Sequence, residues 1–248
     1  MEQGAMRDLL AKYGKIAPLR ADEELALTSL ATAKRSYPSG TSLVIGELDD
    51  PDQLFIVEEG RLFASIDLPG GERAITRLYF PGDIIGTANV PFDKATHSVT
   101  ASSDAVLYTF PRSHLVQAFS TLPRIAAIFY TFAAMENAIL HDRLVSIGRT
   151  RGLSRLAALI LEIAARQSLL HEHTGDRFRL GLTQAQIGDA IGLTQVQVNR
   201  LFRELDEAGV IARSEGCLTI ADKPKLVEIG QFTDRYEHLD LSWFVEDE

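Results

Sequence analysis

Residues 182–209 read LTQAQIGDAIGLTQVQVNRLFRELDEAG, and this stretch limits the possible folds more than any other part of the chain. Thr183 and Thr194 each precede a segment of helical periodicity, where a threonine can cap the first turn. Gly192 can form a left-handed turn between the two helices, and Gly188 lets them approach closely. The predicted buried face of the second helix consists of Val198, Leu201, Phe202 and Leu205. The spacing therefore predicts a helix-turn-helix.

Two short strand-like runs follow, at residues 209–213 and 217–220, with the turn residues Ser214-Glu215-Gly216 between them. They predict a β-hairpin wing. A helical hairpin with a purely structural role would have the same apolar periodicity, but the wing favours a DNA-binding unit. In such a unit the second helix enters the major groove of DNA.

The distribution of charge supports this interpretation, although the whole chain carries a net charge of −9. Residues 149–213 contain nine arginines and seven acidic residues, a net charge of +2 (9 − 7). Residues 1–148 carry −5, and residues 214–248 carry −6 (3 − 9). All cations of the positive segment are arginines, which bind phosphate and guanine through paired hydrogen bonds. So small a positive charge predicts weak non-specific binding and a marked salt dependence.

The N-terminal half changes from helical to strand periodicity. Residues 6–34 have helical patterning that Pro18 interrupts, and from Tyr37 onward short β-rich runs alternate with turns rich in Gly, Pro and Asp. The predicted strands are 42–45, 53–57, 62–66, 74–78, 84–85, 98–101 and 105–110. Short strands at this spacing predict an antiparallel barrel or a jelly-roll-like β-roll.

A long helix is predicted to follow, from about Pro123 to Gly148. Its apolar residues alternate three and four apart, at Ile125, Ile128, Phe132, Met135 and Ile139, and the pattern continues after a register shift through Leu144 and Ile147. This heptad spacing is typical of a dimerisation helix, although a helix that packs on its own domain also produces it. We favour the dimer because helix-turn-helix proteins usually bind DNA as dimers, and this helix directly precedes the helix-turn-helix.

Together these elements predict an α+β fold. Its segments are an N-terminal antiparallel β-roll with its helices (1–120), a dimerisation helix (121–148), a winged helix-turn-helix (149–222), and a C-terminal helix with an acidic tail (223–248). Residues 149–152 are predicted to form a polar hinge. The apolar strip 239–244 either packs on the body of the protein or serves as a partner-docking or autoinhibitory tail.

This order of elements resembles the Crp/Fnr family of bacterial transcription regulators. Gly60, the run Phe80-Pro81-Gly82-Asp83-Ile84-Ile85-Gly86, Pro111-Arg112 and the helix-turn-helix stand where that family has its roll and reader motifs. The resemblance implies a homodimer that binds promoter DNA and contacts RNA polymerase. The chain shows neither a signal peptide nor the stretch of about 18 apolar residues that a membrane span needs, so we expect no membrane partner and a cytoplasmic location.

In such a family the recognition helix begins at Thr194, and its predicted base-reading residues are Gln195, Val196, Asn199 and Arg200. Arg200 matches the position of the family's base-reading arginine and is predicted to contact guanine, with a phosphate contact as the alternative. Asn199 either reads adenine or caps a local backbone group. Gln195 and Val196 replace the Arg and Glu of the cyclic-AMP receptor type, which implies a different half-site. The predicted phosphate contacts are Thr183, Thr194, Gln197 and Arg203.

The roll lacks the charged groups that the resemblance requires for cyclic AMP. Family members that bind it hold the ribose with a Glu and the phosphate with an Arg, but here those positions read Gly86-Thr87 and Ala95-Thr96. A possible effector pocket consists of Gly86, Thr87, Thr96 and His97. No cofactor is predicted, since a lone loop histidine is more often a polar residue than a haem or metal ligand. The single cysteine, Cys217, excludes a cysteine-ligated iron–sulfur cluster within one chain.

No constellation in the sequence indicates an enzyme or a metal site. There is no nucleophile elbow and no phosphate-binding glycine loop, and His171-Glu172-His173 is predicted to be a solvated loop. The alternative function is a cyclic-nucleotide-type small-molecule binding module that docks a protein partner through its helical C-terminal half. The polar residues predicted on the outside of the recognition helix favour the transcription regulator, because a docking hairpin does not need them.

Overall fold

The computed structural model describes residues 6–45, 52–170, 177–237 and 239–244. They belong to two compact units. The first unit is drawn from residues 1–66, 76–134 and 239–248, and the second from residues 67–75 and 135–238.

The elements up to the long helix are α1 (Arg7–Ile16), α2 (Ala21–Thr28), β1 (Ala33–Tyr37), β2 (Ser42–Ile45), β3 (Gln53–Glu59), β4 (Leu62–Asp67), β5 (Arg73–Tyr79), β6 (Ile84–Ile85), a short 3-10 helix (Thr87–Asn89), β7 (Ser98–Ala101), β8 (Ala105–Pro111), α3 (Arg112–Thr121) and α4 (Pro123–Arg149). The strands form two four-stranded sheets, with the orders β1-β8-β3-β6 and β2-β7-β4-β5. The pairs β1–β8, β3–β8, β3–β6, β2–β7 and β4–β7 are antiparallel. The predicted β-roll is confirmed.

The apolar core of the roll is supplied by both sheets. Its fully buried side chains include Val57, Leu62, Tyr79, Val99 and Leu107. In β3, β4, β7 and β8 alternate residues belong to this core, as period-2 patterning requires. The burial of these side chains removes apolar area from water and stabilises the roll.

The strand β1 corrects the sequence prediction, which extended the helical pattern to residue 34. The helix α2 ends at Thr28, and Ala33–Tyr37 pairs with β8 in the register Ala33↔Thr109. Four of the five β1 residues are exposed, so this edge strand has no alternation of apolar and polar residues that would reveal it.

A buried ion pair joins α1 to the turn after β5. The ammonium of Lys12 contacts the carboxylate of Asp83, and only 6% and 3% of these side chains are exposed. The other oxygen of Asp83 accepts a hydrogen bond from the Phe80 backbone N–H at 2.8 Å, which closes the turn. Gly82 has φ +79°, and a Cβ there would lie 2.6 Å from the Asp8 carbonyl oxygen, so glycine is needed for this approach.

The second unit contains α5 (Gly152–Ser168), β9 (Arg177–Phe178), α6 (Gln184–Ile191), α7 (Gln195–Glu207), β10 (Ile211–Ser214), β11 (Cys217–Ile220) and α8 (Lys223–Gly230). The strands form a sheet of order β10-β11-β9. The strand β9, whose Phe178 pairs with Leu218, was not among the strands predicted from the sequence. Unlike Ile84–Ile85, the pair Arg177–Phe178 contains no β-branched residue that would mark a strand. The predicted solvated loop His171-Glu172-His173 lies outside the described residues.

The helix α8 packs on α5 within this unit. A Cβ at Gly230 would lie 3.0 Å from the Ala158 backbone nitrogen, so the two helices approach closely at this point. The predicted boundary at residue 222, between the winged helix-turn-helix and the C-terminal segment, therefore separates α5 from α8, although these two helices pack together.

No single helix among the described residues is long and apolar enough to cross a membrane. The helices α3 and α4 pass the criteria of length and composition only as a pair, and they are bent by 119° relative to each other.

We predict that Asp83→Ala destabilises the protein by about 3–5 kcal/mol, because it removes the carboxylate that compensates a buried ammonium. Urea unfolding measures the change. The double variant Lys12→Met with Asp83→Leu is the control, and it should lose less stability because it removes both charges. A loss for Asp83→Ala no larger than the ~1 kcal/mol of a surface ion pair would contradict this role.

Candidate nucleic-acid interface

Both helices of the helix-turn-helix begin with a reciprocal capping box. At α6, the Thr183 hydroxyl accepts from the Gln186 N–H at 3.2 Å, and the Gln186 side-chain oxygen accepts from the Thr183 N–H at 2.8 Å. At α7, Thr194 and Gln197 make the same pair of bonds at 3.3 and 2.9 Å. The predicted caps are confirmed, and they fix where each helix starts.

The turn between the helices depends on two glycines. Gly192 ends α6 in the left-handed conformation, with φ 68° and ψ 43°. A Cβ at Gly188 would lie 2.3 Å from the Leu193 carbonyl oxygen, so a side chain there would push the turn away from α6. Both roles agree with the sequence analysis.

The recognition helix α7 has one buried face and one exposed face. Val198, Leu201, Phe202 and Leu205 are buried, as the periodicity predicted. The exposed residues are Gln195, Val196, Gln197, Arg200 and Arg203, followed by Glu204 and Glu207 towards the C-terminal end of the helix. Val196 is 79% exposed. Asn199 is only half-buried, at the border between the two faces.

The capping box restricts two of the predicted phosphate contacts. The Gln197 side-chain oxygen accepts from the Thr194 N–H and lies 3.1 Å from the Thr194 hydroxyl. Thr194 can therefore offer its hydroxyl proton to a phosphate only if this bond breaks. The side-chain NH₂ of Gln197 and the backbone amides of the first turn of α7 can donate to a phosphate without breaking this bond.

Several arginines of this unit are held by partners within the protein. Arg213 donates to Asp206 at 2.8 Å and lies over the Phe202 ring, and Arg177 donates to Glu215 at 3.3 Å. Arg200 and Arg203 form no ion pair with any residue that the structure describes. The positive charge available at the recognition surface is thus concentrated on these two side chains.

The wing is a hairpin with a two-residue turn. Ser214 pairs with Cys217, and the turn residues Glu215 and Gly216 have φ of 54° and 75°. Positive φ at both positions matches the right-handed twist of the flanking strands. The predicted wing is confirmed, and it follows α7 directly.

Buried ion pairs connect the second half of α4 with α5. Arg143 donates two hydrogen bonds of 2.8 Å to Glu162, and Arg166 donates two of 2.8 Å to Glu136. Across the predicted hinge, the Arg155 guanidinium donates to the Thr150 carbonyl at 3.1 and 3.2 Å. The helix is interrupted there, but these ion pairs and hydrogen bonds connect α4 and α5 on either side of the interruption.

Arg155 also reaches the helix-turn-helix, since it donates to the Ile191 carbonyl at 3.3 Å. Beside it lies a cavity of about 180 Å³, whose walls include Ile139, Leu159, Ile191 and Phe232. The end of α6 is therefore joined to the end of α4 through one side chain.

The structure corrects the predicted dimer face of α4. Ile125, Ile128, Met135 and Ile139 are buried within their own chain. Phe132 is half-buried, with its ring 4.6 Å from that of Tyr13. These residues form the inner face of the helix and are not available to a partner.

A second heptad row lies on the exposed side of α4. It consists of Tyr130, Ala133, Asn137, Leu140, Leu144 and Ile147, which are all exposed and which we call the outer seam. The spacing is three and four residues alternately, as in a coiled coil. Leu144 is 69% exposed. Exposed aliphatic residues in one row of a helix are typical of an interface.

The predicted effector pocket residues do come together in the roll, around a residue that the sequence analysis missed. The buried Asn89 side-chain oxygen accepts from the Thr96 N–H and hydroxyl at 3.1 and 2.9 Å. Gly86 starts the 3-10 helix that carries Thr87 and Asn89. The polar groups of this loop therefore hydrogen-bond to one another. No signal in the sequence distinguished Asn89 from a turn residue.

His97 is held in the same loop. Its Nδ1 lies 3.0 Å from the Thr96 hydroxyl, and its Nε2 is buried without a hydrogen-bond partner in the described part of the chain. Burial, and then the positive charge of Arg77, lower the pKa of His97. Both effects favour the neutral form of the ring. No group of three or more His, Cys, Asp or Glu that could hold a metal ion occurs among the described residues.

Comparison with known proteins agrees with both units. A cyclic nucleotide-binding domain model matches residues 34–121, and a Crp-like helix-turn-helix domain model matches residues 154–229. The transcriptional regulatory protein btr of Bordetella pertussis is 29% identical over 213 residues, which cover 85% of this chain and 87% of that protein. The chain belongs to the Crp/Fnr family. The family predicted from the motifs is confirmed, and with it the function of a transcription regulator.

Other members of the Crp/Fnr family are similar over most of their length. The transcriptional activator protein FnrL of Cereibacter sphaeroides is 27% identical over 210 residues, which cover 83% of this chain and 84% of that protein. The structure of FixK2 from Bradyrhizobium japonicum superimposes with a TM-score of 0.72 at 21% identity, over 79% of this chain and 96% of that one. This last likeness supports the Crp/Fnr fold.

We predict that His97 makes the protein less stable in mild acid. The folded state binds the His97 proton less readily than the unfolded state does, because its pKa is lowered. Its contribution to stability is present above the unfolded pKa of about 6.5 and is lost as the pH falls towards the folded pKa. Unfolding at about pH 7 and about pH 5.5 should show a smaller loss for His97→Gln than for the natural protein. The exposed His141→Gln is the control, and equal losses for all three proteins would contradict the prediction.

Proposed function

We propose that this Crp/Fnr protein binds an inverted-repeat promoter site as a homodimer, with α7 of each chain in the major groove. The observation that supports this most is the exposed face of α7, where Arg200 and Arg203 lie beside a capped N-terminus and a wing. This face offers arginines, glutamines and an apolar side chain. Arginine and glutamine can donate hydrogen bonds to base edges and phosphates, and the apolar side chain can contact a thymine methyl group.

The exposed face divides into base-reading and phosphate-binding residues. Arg200, with no ion pair to a described residue, can donate two bonds to guanine, and Gln195 can pair with adenine. Val196 is exposed enough to touch a thymine methyl group. Asn199 is the fourth proposed reader, from the border of the face. Phosphates are proposed to bind Thr183, the α7 amides with Thr194 and Gln197, and Arg203.

We predict that Arg200→Ala lowers affinity for the preferred site and relaxes its sequence preference. Duplexes selected from a random pool by the purified protein supply that site. The loss should be roughly 1–3 kcal/mol of discrimination at one base pair. Arg203→Ala is the matched control, since a lost phosphate contact weakens specific and random DNA alike and reduces the salt slope by about one. Equal weakening on both DNAs for Arg200→Ala would make it a phosphate ligand.

The outer seam is the proposed dimer interface. Its exposed leucines can pack against the same residues of a second chain around a two-fold axis. Asn137 lies in the same row, and a polar residue at a core position favours a parallel pair in one register, because only then do the two amides meet. The ion pairs between α4 and α5 would then hold each recognition helix at a set distance from the axis.

We predict that Leu144→Asp abolishes the dimer, because two buried carboxylates would face each other without partners. Sedimentation equilibrium should show a rise of more than roughly hundredfold in the dimer dissociation constant. Val145→Asp is the matched control, since Val145 is 62% exposed but lies outside the seam. If both variants remained equally dimeric, the outer seam would not be the interface.

RNA polymerase and promoter DNA in the cytoplasm are the proposed partners, with regulation rather than catalysis as the function. The alternative of a small-molecule module that docks a protein partner is disfavoured, since the C-terminal half matches a helix-turn-helix domain. The polar groups of the predicted effector loop already bond to one another through Asn89. We therefore propose no cyclic nucleotide as effector.

A further inference from the structure

The end of the chain folds into a turn with two aromatic rings. The Phe244 N–H donates to the Leu241 carbonyl at 3.1 Å, and the Asp240 carboxylate accepts from the Ser242 N–H at 3.0 Å. Hydrogen bonds from the Ser242 hydroxyl and N–H lower the pKa of Asp240. The rings of Trp243 and Phe244 lie 4.5 Å apart. We call residues 239–244 the aromatic turn.

The aromatic turn belongs to the first unit and contacts α4 at the outer seam. The ring of Trp243 meets that of Tyr130 edge to face, with 5.9 Å between centroids and an angle of 78°. Such edge-to-face pairs stabilise beyond the effect of their buried area. Tyr130 is the first residue of the seam, so the turn lies at one end of that row.

The contact leaves both rings open to solvent. Tyr130 is 67% exposed and Trp243 is 56% exposed, although they touch. A segment that blocked this end of the seam would bury Tyr130, but the side chain of Tyr130 remains mostly exposed. The turn therefore adds apolar surface to the seam and does not cover it.

The end of the seam next to the turn is poor in large side chains. Ala133 follows Tyr130 in the seam, and Ala126 and Ala134 stand four residues before and after Tyr130 in α4. Two such helices would have little apolar area to bury there, in contrast to the leucines further along. Trp243 and Tyr130 supply that area.

We propose that the aromatic turn is part of the dimer interface and that its rings pack against a second copy of this chain. The proposal rests on the outer seam of the proposed function. In this arrangement Trp243 extends the seam beyond its alanine-rich end, and the turn stabilises the dimer. The opposite arrangement, in which the turn must move away before two chains associate, predicts the opposite sign in each measurement below.

Trp243 is the only tryptophan of the chain, so its fluorescence reports on the turn directly. A dilution series of the full chain should show a shift of the emission to shorter wavelength, and weaker quenching by acrylamide, as the dimer forms. In Leu144→Asp the emission should stay at the monomer value at every concentration. An emission that does not change across the association, or that shifts to longer wavelength, would overturn the proposal.

Substitution supplies the second test. Trp243→Ala should raise the dimer dissociation constant roughly tenfold, as expected when an aromatic contact of an interface is removed. Phe92→Ala is the matched control, since this aromatic ring is 49% exposed on another loop of the first unit and should change the constant little. An unchanged or tighter dimer in Trp243→Ala would overturn the proposal.

The two proposals fail separately. If Leu144→Asp dissociates the dimer but Trp243→Ala does not, the aromatic turn lies outside an interface that is otherwise correct. If Leu144→Asp remains dimeric, the outer seam is wrong, and the emission of Trp243 during association still decides the role of the turn.

Discussion

The positive charge at the recognition surface is limited, because ion pairs within the protein hold other arginines of the same unit. Arg213 is held by Asp206, and Arg166 by Glu136 and Glu162. Arg200 and Arg203 are the cations of α7, and neither has an ion pair among the described residues. Two cations per chain release few counterions, so one chain should bind DNA weakly. Useful affinity then requires two recognition surfaces that bind together, which adds their contacts at a high effective concentration.

The helix α4 has two faces that serve different purposes. The inner face is buried in the chain and forms ion pairs with α5 through Arg143 and Glu136. The outer seam is exposed along the same helix. Arg155 donates to the carbonyls of Thr150 and Ile191 and so connects the end of α4 with the end of α6. A change in the packing of α4 can therefore be transmitted to the helix-turn-helix through this side chain. The distance between two recognition helices would therefore depend on how two α4 helices pack.

Much of the fold and of the helix-turn-helix could be predicted, because the residues that determine them act on their neighbours in the chain. Thr183, Thr194, Gly188 and Gly192 act through their nearest neighbours in the chain, so their spacing was sufficient. The face of α4 was predicted wrongly for Ile125 to Ile139, which their own chain buries, whereas Leu144 and Ile147 of the predicted seam are exposed. Both rows have heptad spacing, and periodicity cannot tell which of them the domain buries. The strands β1 and β9 were missed since β1 is an exposed edge strand and Arg177–Phe178 contains no β-branched residue. Asn89 was missed because its bonds are to Thr96, seven residues further along the same loop, and no motif or periodicity relates the two positions.

The preferred spacing of the DNA half-sites tests the central claim most directly. Selected inverted repeats should have half-sites one helical turn, about 34 Å, apart. Insertion of about five base pairs at the centre turns one half-site to the opposite side of the duplex. Affinity is then expected to fall to that of a single half-site. Undiminished affinity for the lengthened site would contradict a dimer whose recognition helices are held at a fixed distance by α4.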